Sequence, residues 1–363
     1  MPVDIYLPYP DGVRRIKDKF LIPGSGKPPL RLGYSSSRLG LGAPTQHKFD
    51  QTILRSEELA NAAGISAAEM RKDIHWHGYN PGFNADASSL SAFQFVINNG
   101  FAGMMMNQKI DDWAAAARGE YDAAFKNYLI NLSALKIIIT IIMMHEPEND
   151  GRASEASDWC KAQARFMKMV AEHDDPNITF STCYIGNPPT DRSIWNPIPA
   201  LETLMGNRAN AQYIIDRSLC GVDPYPTLFS DGSVEYLSQR IANAMTDYKA
   251  WGFKKFSLPE MGLCNYIDRG NKEGQTNPAR WPDPRKTPTQ QAQRLVDEMW
   301  TWALANNVEA ICYFDVSDPN HVESSTRSAQ QLIDLDLSKI IDTPEELLVF
   351  SQMIRGIKPA LAA

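Results

Sequence analysis

Eight short apolar runs recur along this chain, separated by longer stretches with helical spacing, and that alternation leaves few folds open. The runs are Leu30–Ser35, Met70–His77, Phe101–Asn107, Ile137–His145, Ile178–Ile185, Leu219–Tyr225, Lys255–Glu260 and Ala310–Asp315. Several are apolar throughout, the clearest being IIITIIMM at 137–144. Strands buried on both faces lose the two-residue alternation of a half-exposed sheet, so these runs predict a parallel sheet covered by helices. Helices are expected between them at Phe49–Ala63, Glu120–Leu135, Glu155–Glu172, Val234–Trp251, Thr289–Asn306 and Ser324–Leu335. Eight such units predict a closed (β/α)8 TIM barrel over residues 29–340, and a barrel of this size forms one domain. The alternative, an open doubly wound sheet, lacks its usual support. No GxGxxG follows the first strand, and no GxxxxGK[ST] occurs anywhere in the sequence.

Two segments fall outside the eight units. Residues 1–28 form an arm punctuated by proline and glycine, read as irregular and as a candidate docking segment for an assembly partner. Residues 341–363 hold a short amphipathic helix, with Leu347, Leu348, Phe350, Met353 and Ile354 at helical spacing.

Composition narrows the function. The 363 residues carry a formal net charge of −7 with both signs interspersed. No basic stripe is available to neutralise phosphates, so nucleic acid is not expected as a partner. The longest apolar run is far shorter than the roughly 20 residues that span a bilayer, so no membrane insertion is expected. The first twenty residues contain no apolar core of the signal-peptide kind, which leaves localisation open. Five cysteines without close spacing read as reduced, buried thiols.

In barrel enzymes the reactive side chains project from the C-terminal ends of the strands. The fourth run ends in His145 and Glu146, the seventh in Glu260. The second ends in His75, Trp76, His77 and Tyr79, the sixth in Asp223 and Tyr225, the eighth in Tyr313 and Asp315. Carboxylates on the fourth and seventh of eight strands face each other across the mouth. Glycoside hydrolysis needs two such groups, one to protonate the leaving oxygen and one to attack the anomeric carbon or activate water. Aromatic planes can stack on the C–H faces of sugars, which makes Trp76, Trp113, Trp195 and Trp281, all in or beside strand-to-helix loops, candidates to line a glycan cleft. Asp223 and Asp315 read as helix caps.

In its motifs and their order the chain resembles glycoside hydrolase family 26, the group of β-mannanases and related endo-glycanases. The shared features are His145-Glu146 ending strand four, Glu260-Met261-Gly262 ending strand seven, Gly119-Glu120-Tyr121-Asp122-Ala123, Gly221-Val222-Asp223-Pro224-Tyr225 and Tyr313-Phe314-Asp315. They span roughly residues 30–320. The resemblance implies a retaining hydrolase of β-linked polysaccharide that needs no cofactor, with Glu146 as acid/base and Glu260 as nucleophile. It implies that His145 orients a carboxylate or contacts sugar and that Tyr225 hydrogen-bonds the nucleophile. His77, Trp76, Trp281 and Tyr313 complete the expected substrate-binding set. The chain departs from the family where an arginine usually stands three residues before the histidine, here Ile142. It departs again where asparagine-glycine usually follows the glutamate, here Pro147-Glu148-Asn149-Asp150. Mannan is therefore not implied as the substrate.

Two other readings remain open on the residues alone. His75-x-His77 with Asp315 suggests a metal-dependent barrel hydrolase, although residues 178–225 supply no histidine. A non-catalytic carbohydrate-binding or structural barrel, for example one carried in a phage virion, would suit a chain without an evident secretion signal.

Overall fold

The computed structural model describes residues 6–9, 12–15, 30–37, 45–80, 83, 91–185, 192–224, 237–262, 288–316 and 343–359. Strands β1 (Tyr6–Tyr9) and β2 (Gly12–Arg15) pair antiparallel with Tyr9 opposite Gly12. The arm thus carries a hairpin where the sequence reading found no regular element. Its sequence signal was Pro10-Asp11-Gly12, a turn signature between two short runs.

Eight parallel strands follow: β3 (Arg31–Ser37), β4 (His75–Asn80), β5 (Gly103–Gln108), β6 (Ile138–Met143), β7 (Ile178–Ile185), β8 (Ser218–Asp223), β9 (Phe256–Met261) and β10 (Val308–Val316). Their lateral order is β3-β10-β9-β8-β7-β6-β5-β4, so each strand lies beside its neighbour in sequence and the last lies beside the first. At the β3–β4 seam Gly33 is pressed so closely on the backbone of His75 that a Cβ there would overlap the His75 carbonyl oxygen. The nearly closed ring and its surrounding helices are the expected (β/α)8 TIM barrel.

Thirteen α-helices precede the C-terminal one among the described residues, and three of them, with the C-terminal helix, show how the outer layer forms. Helix α1 (Thr45–Ala63) begins just after β3. Helix α5 (Asp122–Leu135) buries Phe125, Tyr128, Leu129 and Leu132, a stripe at three- and four-residue spacing. Helix α7 (Ala156–His173) buries Trp159, Gln163, Phe166, Met167 and Val170 in the same way. The helix at Pro344–Ile354 starts with a capping box between Thr343 and Glu346 and buries Val349, Phe350, Met353 and Ile354.

Strand boundaries shift from expectation in ways the local chemistry explains. Met70 belongs to a short helix, Ala67–Arg71, capped by the Ser66 side chain on the Glu69 N–H, so β4 begins only at His75. The stretch at Val234–Trp251 breaks into Leu237–Arg240 and Ala242–Trp251, and the one at Thr289–Asn306 contains a π-helical turn at Val296–Thr301. The helix expected at Ser324–Leu335 lies outside the described residues.

Inside the ring, small and medium side chains fill the lumen. Met105, Ile142, Cys183, Ala310 and Cys312 form its apolar plug, with Ser181 and Ser257 hydroxyls 2.8 Å apart. Below the plug, Arg31 donates to the Thr140 hydroxyl at 3.2 Å. Above it the lining turns polar.

Candidate active site

Two-residue alternation along β4 turns His75 and His77 into the lumen and Trp76 outward. The Trp76 indole N–H donates to Thr52 Oγ1 at 3.1 Å, and its ring packs against Phe49 and Phe95. Trp76 is therefore part of the layer between barrel and helices, which corrects its expected place on a sugar. The same alternation along β10 turns Ala310 and Cys312 inward and Tyr313 outward. Tyr313 is fully buried and meets Phe350 of the C-terminal helix edge-on, which corrects the second aromatic assignment. Trp195 is also buried, edge-on to both Trp113 and Trp159. Tyr225 and Trp281 lie outside the described residues.

At the mouth, Glu260 near the end of β9 faces polar side chains on two sides. Asn107 on β5 donates from Nδ2 to Glu260 Oε1 at 3.2 Å, and His77 Nε2 stands 3.7 Å from the same oxygen. Both partners are buried, while the Glu260 side chain is 17% exposed. Its backbone N–H donates to Asp223 Oδ1 at 2.8 Å. Among the described residues Asp223 caps no helix; it is a buried carboxyl under the site, and its other oxygen accepts from Cys183 Sγ at 2.9 Å.

Glu146 arrives on a different element. Strand β6 ends at Met143, and Met144 and Glu146 both adopt the left-handed region, at φ 54° and 46°. A non-glycine residue there costs roughly 1–2 kcal/mol, and two of them flank His145. The kink is pinned by the Met144 N–H on Gln108 O at 2.8 Å and the Glu146 N–H on Cys183 O at 3.0 Å. Pro147 then opens a single helical turn, Pro147–Asp150. Gly151 closes it against Trp113, whose ring occupies the space a Cβ would need. His145 lies edge-on to Tyr79, ring centroids 5.7 Å apart, and Tyr79 is 46% exposed at the mouth.

Burial pushes the Asp223 carboxyl well above the usual carboxylate range, and the negative charges of Glu260 and Glu146 push it further. Burial and the neighbouring Asp223 charge keep the Cys183 thiol protonated, with Glu146 and Glu260 adding to the effect. Both glutamates thus bear on the same buried pair. Glu148, two residues past Glu146, accepts from the Ile185 N–H at 3.4 Å, and its buried Oε1 has no partner among the described residues. Burial raises its pKa to about 7, against two backbone hydrogen bonds that lower it, with the Glu146 charge adding to the rise.

His75, two residues before His77 on β4, is buried beside Arg31. Burial, then the Arg31 charge, lowers its pKa to about 3. A neutral imidazole beside a guanidinium is a poor seat for a cation, and the described residues contain no cluster of three or more metal-ligating side chains.

Asn107 and Glu148 lie beside the site although the sequence reading assigned them no role there, and Asp223, read from the sequence as a helix cap, lies under it. Asn107 and Asp223 had the signal that singled out the glutamates, a polar side chain ending an apolar run. Glu148 had none.

No protein-family model matches the chain, and no curated protein sequence matches it. Among solved structures it is similar to the YdhT protein of Bacillus subtilis, at 11% identity and a TM-score of 0.44, covering 86% of this chain and 87% of that one. It is also similar to a β-glucuronidase of Bifidobacterium dentium, at 9% identity and a TM-score of 0.47, covering 91% of this chain and 46% of that one. A third is the endo-1,4-β-xylanase XylE of Penicillium canescens, at 10% identity and a TM-score of 0.44, covering 91% and 96%. Likenesses of this size assign no activity.

Proposed function

We propose that the protein is a retaining glycoside hydrolase acting on a β-linked polysaccharide, with Glu146 as general acid/base and Glu260 as nucleophile. The observation that supports the reading is that Glu146, beyond β6, and Glu260, on β9, each donate a backbone N–H to the buried Cys183–Asp223 pair, and the charges of both raise the pKa of that pair. In the first step Glu146 gives its proton to the glycosidic oxygen while Glu260 attacks the anomeric carbon; the bond from that carbon to the glycosidic oxygen breaks, the leaving sugar departs as an alcohol, and a glycosyl-enzyme ester remains. In the second, Glu146 takes a proton from water, which attacks the same carbon and releases Glu260. The Asn107 amide fixes the attacking oxygen at a set position, with His77 3.7 Å from it, which is what nucleophilic attack needs from its surroundings. His145 and Tyr79, edge-on at the mouth, would meet the sugar first.

The test is a panel of β-mannans, β-glucans and xylans offered to the wild type, Glu146→Ala and Glu260→Ala, with NMR of the product anomer. Turnover with retained configuration is expected in the wild type, falling by orders of magnitude in either variant while the fold persists. Inverted product, or variants as active as the parent, would overturn the assignment. Glycan binding without any turnover would make this a binding protein instead.

A further inference from the structure

Glu146, in the turn after β6, and Glu260, near the end of β9, belong to strands that do not touch, yet both are tied to one residue between them. The β6–β7 ladder pairs Ile139 with Ile178 through Ile142 with Ser181. Beyond that pair β6 leaves the sheet through the left-handed residues at 144 and 146, and the contact is resumed by the Glu146 N–H on the Cys183 carbonyl at 3.0 Å. Cys183 then turns its side chain into the lumen, where it is fully buried beside Met105, Ile142, Ala310 and Cys312. Its Sγ donates to Asp223 Oδ2 at 2.9 Å, and Asp223 Oδ1 receives the Glu260 N–H at 2.8 Å. Two hydrogen-bonded links therefore run from one residue, through its carbonyl to the turn that carries Glu146 and through its thiol and Asp223 to the end of β9.

We propose that Cys183 is a positioning residue that sets the spacing of Glu146 and Glu260 across the barrel mouth, by way of its carbonyl on one side and its thiol and Asp223 on the other. Its effect on turnover rests on the hydrolase reading above; its hydrogen bonds do not. A retaining mechanism tolerates little error in carboxyl separation, about 5–5.5 Å against the wider gap of inversion, so a tie between the loops has a chemical purpose. The thiol suits the task because burial keeps it protonated, so that it donates at every pH at which the protein would work. Asp223 in turn sits under the pull of two negative charges and burial toward its neutral form, with the Cys183 S–H and the Glu260 N–H as the two donors that favour its carboxylate. Taking away the thiol would let Asp223 hold a proton to higher pH and slacken its grip on Glu260.

The side-chain link is tested with Cys183→Ser, which keeps a donor, and with Cys183→Ala and Cys183→Val, which do not. The Ala and Val variants should lose about tenfold in kcat, the worth of one hydrogen bond to a charged group, with KM little changed. The acid limb of their kcat profile should move to higher pH, and Cys183→Ser should recover most of both. Independently, the infrared S–H stretch that vanishes in Cys183→Ala should lie at the low frequency of a strongly bonded thiol and rise when Asp223 is replaced by Asn. If the wild type turns over glycans and the three variants match it in kcat and pH profile, the positioning role is refuted while the hydrolase stands. If no glycan is turned over, the infrared band decides: a frequency of a free thiol, indifferent to Asp223→Asn, refutes the link, and a bonded, responsive one upholds it without the hydrolase.

Discussion

At the scale of single residues, the site depends on buried polar side chains aimed at one carboxylate. Asn107 is fully buried, spends its amide N–H on Glu260 Oε1, and has no partner among the described residues for its own Oδ1. Asn107→Ala should lower kcat/KM by about 10- to 100-fold, the range for a lost hydrogen bond to a charged acceptor, with a smaller effect on stability. Steady-state kinetics beside thermal unfolding checks this; an unchanged kcat/KM would remove Asn107 from the site. The residue scale is also where the sequence was least reliable. Glu146, Glu260, His77 and His145 were legible as polar ends of apolar runs. Trp76 and Tyr313 were misassigned although the period of two already contained the answer: with His75 and His77 facing in, Trp76 must face out. Trp195 could not be placed so, because no strand alternation governs the single helical turn that carries it.

At the scale of elements, the parallel strands and their order follow from the apolar runs, and eight runs were enough to give the ring. What the runs could not reveal is how the ring closes and where β6 breaks. Closure depends on Gly33, whose missing side chain lets β3 lie against the His75 backbone. Gly33→Ala would set a methyl group against a main-chain carbonyl, which no rotamer change relieves. The cost should exceed about 4 kcal/mol, in the class of severe core lesions. Soluble yield and denaturant midpoint measure it, and a variant within about 1 kcal/mol of the parent would show that the seam has slack. The break in β6 was hidden for a different reason: Met144 continues the apolar run in sequence, and the left-handed residues Met144 and Glu146 are held by backbone hydrogen bonds to Gln108 and Cys183, on neighbouring strands. Tertiary bonds, not local propensity, place Glu146.

At the scale of the whole molecule, the same loop makes the stability of the fold depend on pH. Glu148 ionises near 4.5 in an unfolded chain and near 7 in the folded one, because folding buries it at the end of β7 beside Glu146. Between those values the folded state holds a proton that the unfolded state has released. Raising the pH therefore favours unfolding: the contribution is fully present below about 4.5, declines through the interval, and is gone above about 7. Its size follows from the separation of the two values and is on the order of 3 kcal/mol. Glu148→Gln keeps an acceptor for the Ile185 N–H and cannot ionise, so it lacks this slope. The free energy of unfolding, measured by denaturant for both proteins from pH 4.5 to 8.5, should show the variant gaining on the wild type as pH rises, by a few kcal/mol across the range. Other titrating groups are common to both proteins and cancel in the difference. Parallel curves would mean that Glu148 reaches solvent in the native protein, and the tight packing of the Glu146 loop on β7 would have to be given up with it.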